Sequence, residues 1–178
     1  MGLRPGRCYR EINKKPWTRI SIRRPRRSYV KGVPASKIHQ FEMGNVKGEF
    51  EIIGHIVAND DAQIRSNALE ATRTIVVKYL EKKLGEGKFF VKIRAYPHHV
   101  LRENAMATGA GADRFSQGMG SLPFGRPIGI AARVHTGQKL ITMKVPAGSA
   151  DVIKVAFDRA SKKLPLQVRL LMENNSAK

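Results

Sequence analysis

Five histidines, one cysteine and fourteen acidic residues are the groups available for proton or metal chemistry, and their spacing does not assemble them for it. His39, His55, His98, His99 and His135 are scattered. The adjacent pair, His98 and His99, points to opposite faces of an extended chain and cannot readily share one ion. Cys8 stands alone, so neither an intrachain disulfide nor a cysteine-based zinc site is expected. No H-E-x-x-H occurs. Glu103, Asp113 and a histidine would make an acid–base pair, but no spacing requires it. Gly109-Ala110-Gly111 fails as a nucleotide-binding turn, because Arg114 stands where a third glycine belongs and no GK[ST] follows. The expectation is a protein that is not an enzyme, with no catalytic residue, no metal and no cofactor.

What the chain has in abundance is positive charge. Lys and Arg number 33 against 14 Asp and Glu, a formal charge of +19 and a pI near 10.6. Self-repulsion on that scale disfavours a compact free molecule unless a polyanion neutralises it. Nucleic acid is the expected partner, because its phosphates draw Lys and Arg through counterion release. The competing polyanion is a membrane surface. No apolar run approaches the ~20 residues needed to span a bilayer, so no membrane partner is expected. The start has charge but no apolar core of the kind a secretory signal carries. Pro5, Pro16, Pro25 and Pro34 rule out the continuous amphipathic helix that a transit peptide would need. The location expected is therefore cytoplasmic. The 178 residues are 42% hydrophobic and 7% aromatic, enough for one ordinary domain with a largely aliphatic core. No homo-oligomer is expected.

The elements that must carry this charge divide at about residue 48. Residues 1–47 are expected to form a basic extended N-terminal arm. From Met1 to Lys37 there are twelve Lys or Arg and one acid, Glu11. Such a segment has too little apolar surface to fold alone and is expected to be ordered by its partner. A disordered solubility tail is the plainer alternative. It would not need Trp17, Ile20, Ile22, Tyr29 and Val33 among the charges.

Residues 48–178 are expected to form an α+β sandwich. Glu49 to Ala58 is partly alternating and predicts a strand. Asp60 and Gln63 resemble a capping box. The helix expected after them carries Ile64, Ala68, Ala71, Ile75, Val76, Tyr79 and Leu80 at helical spacing and ends at Gly85. Phe89 to Tyr96 predicts a second strand, and His98 to Arg102 continues the extended path. Ile128 to Val134 predicts another strand. Lys139 to Val145 alternates, Ser149 is placed as the cap of a helix bearing Val152, Ile153, Ala156, Phe157, Ala160 and Leu164, and Leu166 to Met172 returns as a strand. Strand–helix–strand thus occurs twice, and two such units imply a sheet covered by two helices. Ile64, Ile75, Val152 and Phe157 are the expected core beneath them.

Between the units lies a long glycine-rich loop, residues 103–127, with five glycines and two prolines and no sustained period. A stretch of that length without structure inside a compact domain usually has a function or is disordered. As a hairpin of ~12 residues per arm at ~3.3 Å each, its tip would reach ~40 Å. Gly109, Gly111, Gly118 and Gly120 permit close backbone approach, and Arg114 and Arg126 suit phosphates. Met106, Phe115, Met119 and Phe124 suit sugars or bases.

The start MGLRPGRCYR, the run KPWTRISIRRPRRSYVKGVP, and above all GAGADRFSQGMG followed by FGRPIGIAARVHTGQ resemble one family along nearly the whole chain. It is the universal large-subunit ribosomal protein family, known as protein sixteen in bacteria and protein ten-e in archaea and eukaryotes. The start and the short C-terminal tail look archaeal. The resemblance implies a structural constituent of the large ribosomal subunit that binds rRNA near the peptidyl transferase centre. It also implies that the internal loop helps to position A-site and P-site tRNA, with a role in late subunit assembly. The implied partners are large-subunit rRNA, tRNA acceptor arms, neighbouring ribosomal proteins and assembly factors. The implied fold is a two-helix-on-sheet sandwich with a β-hammerhead-like part. The rRNA contacts expected by position and charge are Arg4, Arg7, Arg10, Lys14, Lys15, Trp17, Arg19, Arg23, Arg24, Arg26, Arg27, Lys31, Arg94, Arg102 and Arg133. The tRNA-proximal part of the loop would be Gly109, Gly111, Ala112, Asp113, Arg114, Gln117, Gly118 and Met119. An RNA chaperone, an RNA-modifying enzyme and a membrane-surface protein are the rival classes.

Overall fold

The computed structural model describes residues 4–12, 23–27, 30–104 and 125–174. Its elements, in order, are β1 (Glu42–Gly44), β2 (Ile52–Ala58), β3 (Ala62–Arg65), α1 (Ser66–Leu84), β4 (Phe90–Ile93) and β5 (His99–Glu103). There follow β6 (Arg126–Val134), β7 (Lys139–Val145), α2 (Ala150–Ser161) and β8 (Val168–Asn174). Two antiparallel sheets result, one in the order β1-β4-β7-β2-β8 and the other β3-β6-β5. In the larger sheet β7 lies between β2 and β4, while β2 lies between β7 and β8. The two expected strand–helix–strand units are therefore present and interlocked, each split by a strand of the other.

Both helices lie on one face of that sheet and pack on each other. Leu69, Val76 and Leu80 of α1 and Ile153, Ala156 and Ala160 of α2 are completely buried against Ile56, Ile93, Ile141 and Met143. A Cβ at Gly54 would meet Ile153 Cγ2 at 2.6 Å, so the close approach of α2 to β2 depends on that glycine. The Gly85 N–H closes the last turn of α1 on the Glu81 carbonyl at 2.9 Å, at the expected end of the helix.

The start of α1 differs from the capping-box reading. Ala62–Arg65 is a strand whose residues Ala62, Gln63, Ile64 and Arg65 pair with Val134, Arg133, Ala132 and Ala131. Ladder hydrogen bonds and full burial of Ala62 and Ile64 outweigh one turn of helix. Asp60 thus caps nothing, and Ile64 is a core residue from a strand. Ser149 does precede α2, although its side chain makes no capping bond. Ile75, Val152 and Phe157 are also corrected, since they are only partly buried at the edge of the core. Neighbours at adjacent helical positions, Val76 and Ile153, take the central places instead.

Residues 30–44, read from sequence as part of the basic arm, carry Val30 and Ile38 at 3% and 2% exposure and supply edge strand β1. Val30 sits with Val100 and Ile130 in a small second core. That core belongs to the smaller sheet, from which the internal loop departs.

Candidate nucleic-acid interface

The base of the loop is built by β5 and β6, which pair out to Glu103 opposite Arg126. Gly125 has φ +72°, and a Cβ there would lie 2.7 Å from the Glu103 carbonyl carbon, so only glycine closes the stem this tightly. Residues 104–125 connect the two strands. Gly109, Gly111, Ala112, Asp113, Arg114, Gln117, Gly118 and Met119 all lie outside the described residues, as do Lys14, Lys15, Trp17 and Arg19.

Residues 4–12 are fastened to this stem. Glu103 pairs with the Arg4 guanidinium, and the Tyr9 hydroxyl donates to its other carboxylate oxygen at 2.7 Å. Arg65 donates to the Arg4 carbonyl at 2.8 Å and lies over the Tyr9 ring at 5.6 Å. The Gln63 N–H donates to the Arg10 carbonyl at 2.8 Å, and its side-chain amide donates to the Tyr9 carbonyl at 3.3 Å and to the Glu11 carbonyl. Arg133 donates to the Ile12 carbonyl at 3.1 Å, and Arg10 to the Pro165 carbonyl at 3.3 Å. A cleft of about 360 Å³ remains between this segment and the smaller sheet, bordered by Tyr9, Lys37, Asn67 and Ile128.

The clamp has a titration signature. Burial, and then the hydrogen bond to Glu103, push the Tyr9 phenol from 10.0 up to about 12. The Tyr9 bond and the Arg4 pair hold the Glu103 carboxyl below its ordinary range. Because the folded phenol is raised, its stabilisation is complete below about pH 10 and is lost as pH climbs through about 12. The phenolate absorbance difference between the native chain and Tyr9→Phe should therefore titrate near 12, and Glu103→Ala should draw it back toward 10. A native midpoint near 10 would mean that the segment is not held.

The basic residues expected to meet RNA fall into two groups. Arg23, Arg24, Arg26 and Arg27 are exposed around a 3-10 turn over Pro25–Arg27, held by the Arg27 N–H to the Arg24 carbonyl at 2.9 Å. Arg7 and Lys31 are also exposed. Arg4, Arg10 and Arg133, in contrast, use donors within the chain, as given above. Burial lowers the pKa of the half-buried Arg102. Arg102 and Arg133 lie near His99, whose pKa falls to about 4, first through burial and then through these two charges. His99 is thus neutral at physiological pH.

On the face of the larger sheet away from the helices, Arg94 Nε donates to Thr142 Oγ1 at 2.8 Å. The same hydroxyl lies 3.0 Å from His55 Nδ1, and a neutral ring with its proton on Nε2 would turn it toward Glu173 at 3.6 Å. Burial, then the charge of Lys139, lower the His55 pKa and favour this neutral form. Lys92 and Lys144 lie on the same face, opposite Thr142 and Phe90 in the register. Among the described residues no group of three His, Cys, Asp or Glu is placed to hold a metal. No helix there is long and apolar enough to cross a membrane.

The clamp and the Arg94–Thr142–His55 chain escaped sequence reasoning. Tyr9 and Glu103 are 94 positions apart, and no local pattern announces their meeting.

A profile of the family described as "Ribosomal protein L16p/L10e" matches residues 17–171. A protein of Thermofilum pendens named "Large ribosomal subunit protein uL16" is 46% identical over 173 residues, 97% of this chain and 98% of its own length. Proteins of the same name from Methanoculleus marisnigri and Saccharolobus islandicus are 44% and 47% identical over 177 and 172 residues. They span 99% and 96% of this chain and 99% and 92% of their own lengths.

Proposed function

The chain belongs to the ribosomal protein L16p/L10e family, and on that premise we propose how its parts divide the work of a structural constituent of the large ribosomal subunit. Its place is in the cytoplasmic large subunit, among rRNA and neighbouring ribosomal proteins, and its contribution is architectural rather than enzymatic. The basic N-terminal segment and the exposed arginines at 23–27 anchor it to rRNA near the peptidyl transferase centre. The loop over residues 103–127 reaches toward tRNA acceptor arms and helps to position A-site and P-site tRNA. The chain also takes part in late subunit assembly.

The observation that carries this division is the mounting of the loop. Its two ends leave paired strands at Glu103 and Arg126, and the same Glu103 is gripped by Arg4 and Tyr9. A segment meant only to attract RNA would need charge instead of a braced stem. Residues 103–127 hold two basic residues, Arg114 and Arg126, against two acids, Glu103 and Asp113, and add little non-specific affinity. Placing reactants accurately accelerates a reaction even without a protein catalytic group.

Deleting Gly109 to Gly118 should leave incorporation into large subunits nearly intact while slowing tRNA accommodation or peptide-bond formation. Sedimentation and single-turnover translation kinetics read the two effects separately. Failure of the deleted chain to join the subunit would make the loop an assembly element. Normal rate and fidelity after incorporation would make it a bystander.

A further inference from the structure

From Ile93 to His99 burial alternates, with Ile93, Ala95 and His99 buried and Arg94, Tyr96 and His98 exposed. Three side chains are thus turned outward from one strip of backbone. Tyr96 is 46% exposed, yet its ring is held. Phe41 stacks on it with centroids 4.5 Å apart and planes 24° from parallel, and His98 lies at 6.0 Å and 15°. Phe41 in turn packs against the main core, which ties the stack to the body. Pro97 restricts the backbone between the two outward rings. Two residues before Tyr96, the Nε of Arg94 is fixed by Thr142, and its terminal nitrogens have no partner among the described residues.

We propose that Arg94, Tyr96 and His98 form a binding site for an unpaired nucleotide of RNA, the base stacking on the rings and the phosphate meeting the guanidinium. The inference rests on the RNA-binding reading above and adds to it a site that recognises single-stranded rather than helical RNA. An exposed, near-parallel ring stack matches the flat face of any base. A duplex hides those faces inside its own stack. Pre-ordered rings lose little freedom on binding. The neighbouring charge favours a nucleotide over an apolar peptide, since Arg94 stands two residues from Tyr96 and the whole chain carries +19.

The test compares binding of the full-length chain to a fluorescent single-stranded RNA decamer and to a blunt RNA duplex, at salt high enough to suppress non-specific attraction. Tyr96→Ala should weaken single-strand binding roughly 10-fold or more, within the range for loss of one base–aromatic stack, and leave duplex binding unchanged. Tyr96→Trp should retain single-strand binding, and His98→Ala should show a smaller loss. Equal single-strand affinity for the native and Tyr96→Ala chains would overturn this site while leaving RNA binding intact. No binding of either RNA by the native chain would overturn the RNA-binding reading as well. In reconstituted subunits, a photoreactive group at position 96 should crosslink to a nucleotide. Crosslinking to a polypeptide instead would refute the proposal.

Discussion

Replacing Arg23, Arg24, Arg26 and Arg27 together with alanine is expected to lower affinity for large-subunit RNA sharply and to flatten its dependence on salt. All four are exposed, and the turn over Pro25–Arg27 concentrates them within one short stretch. Each phosphate contact on a helical target releases condensed counterions, worth about 0.9 in the slope of log affinity against log salt. Loss of four contacts would remove roughly 3–4 slope units, the largest change in RNA affinity foreseen for any cluster in this chain. Titration at several salt concentrations measures it directly. An unchanged slope would mean that these charges keep the protein soluble and do not touch phosphate.

Phe89→Ala should be the most damaging single change to the fold among those considered. Phe89 is 2% exposed and lies in the main core just before β4, and its carbonyl accepts the Asn45 N–H at 2.9 Å beside edge strand β1. Removing a buried phenyl ring forfeits its transfer energy and leaves a cavity, together costing about 3–5 kcal/mol. Phe157→Ala should cost less than that range, because Phe157 is partly buried at the edge of α2. Urea unfolding of the two variants gives the ranking, with assembled particles as the alternative sample if the isolated chain does not unfold cooperatively. Equal losses would contradict the burial difference.

The Phe157 comparison shows what a periodic pattern conveys. The spacing over α2 identifies its apolar face, and that face does meet the sheet. It does not rank residues within the face. Ile153 became central because Gly54 on β2 lets the helix approach there, a fact that resides in another part of the chain. The same holds for Ile64 and Ala68, whose spacing suits one helix. Pairing with Ala132, far along the chain, makes Ile64 a strand residue.

By itself the sequence determined the matters that depend on neighbours within a turn or two: strand β7 over Lys139–Val145, the end of α1 at Gly85, and the alternation of two strand–helix–strand units. It also determined the excess of positive charge, its concentration near the start, and the motif by which the family is recognised. Only the tertiary structure decided how the strands divide between two sheets and which arginines are engaged by other parts of the chain. Arg23, Arg26 and Arg27 look no different in sequence from Arg4, Arg10 and Arg133. Yet the latter three spend donors within the chain, on Glu103 and on the carbonyls of Pro165 and Ile12. The physical reason is that burial and charge are summed over composition, whereas a hydrogen bond or ion pair needs one particular partner at about 3 Å. For Tyr9 and Arg94 that partner is supplied by a distant segment, and folding alone brings it within reach.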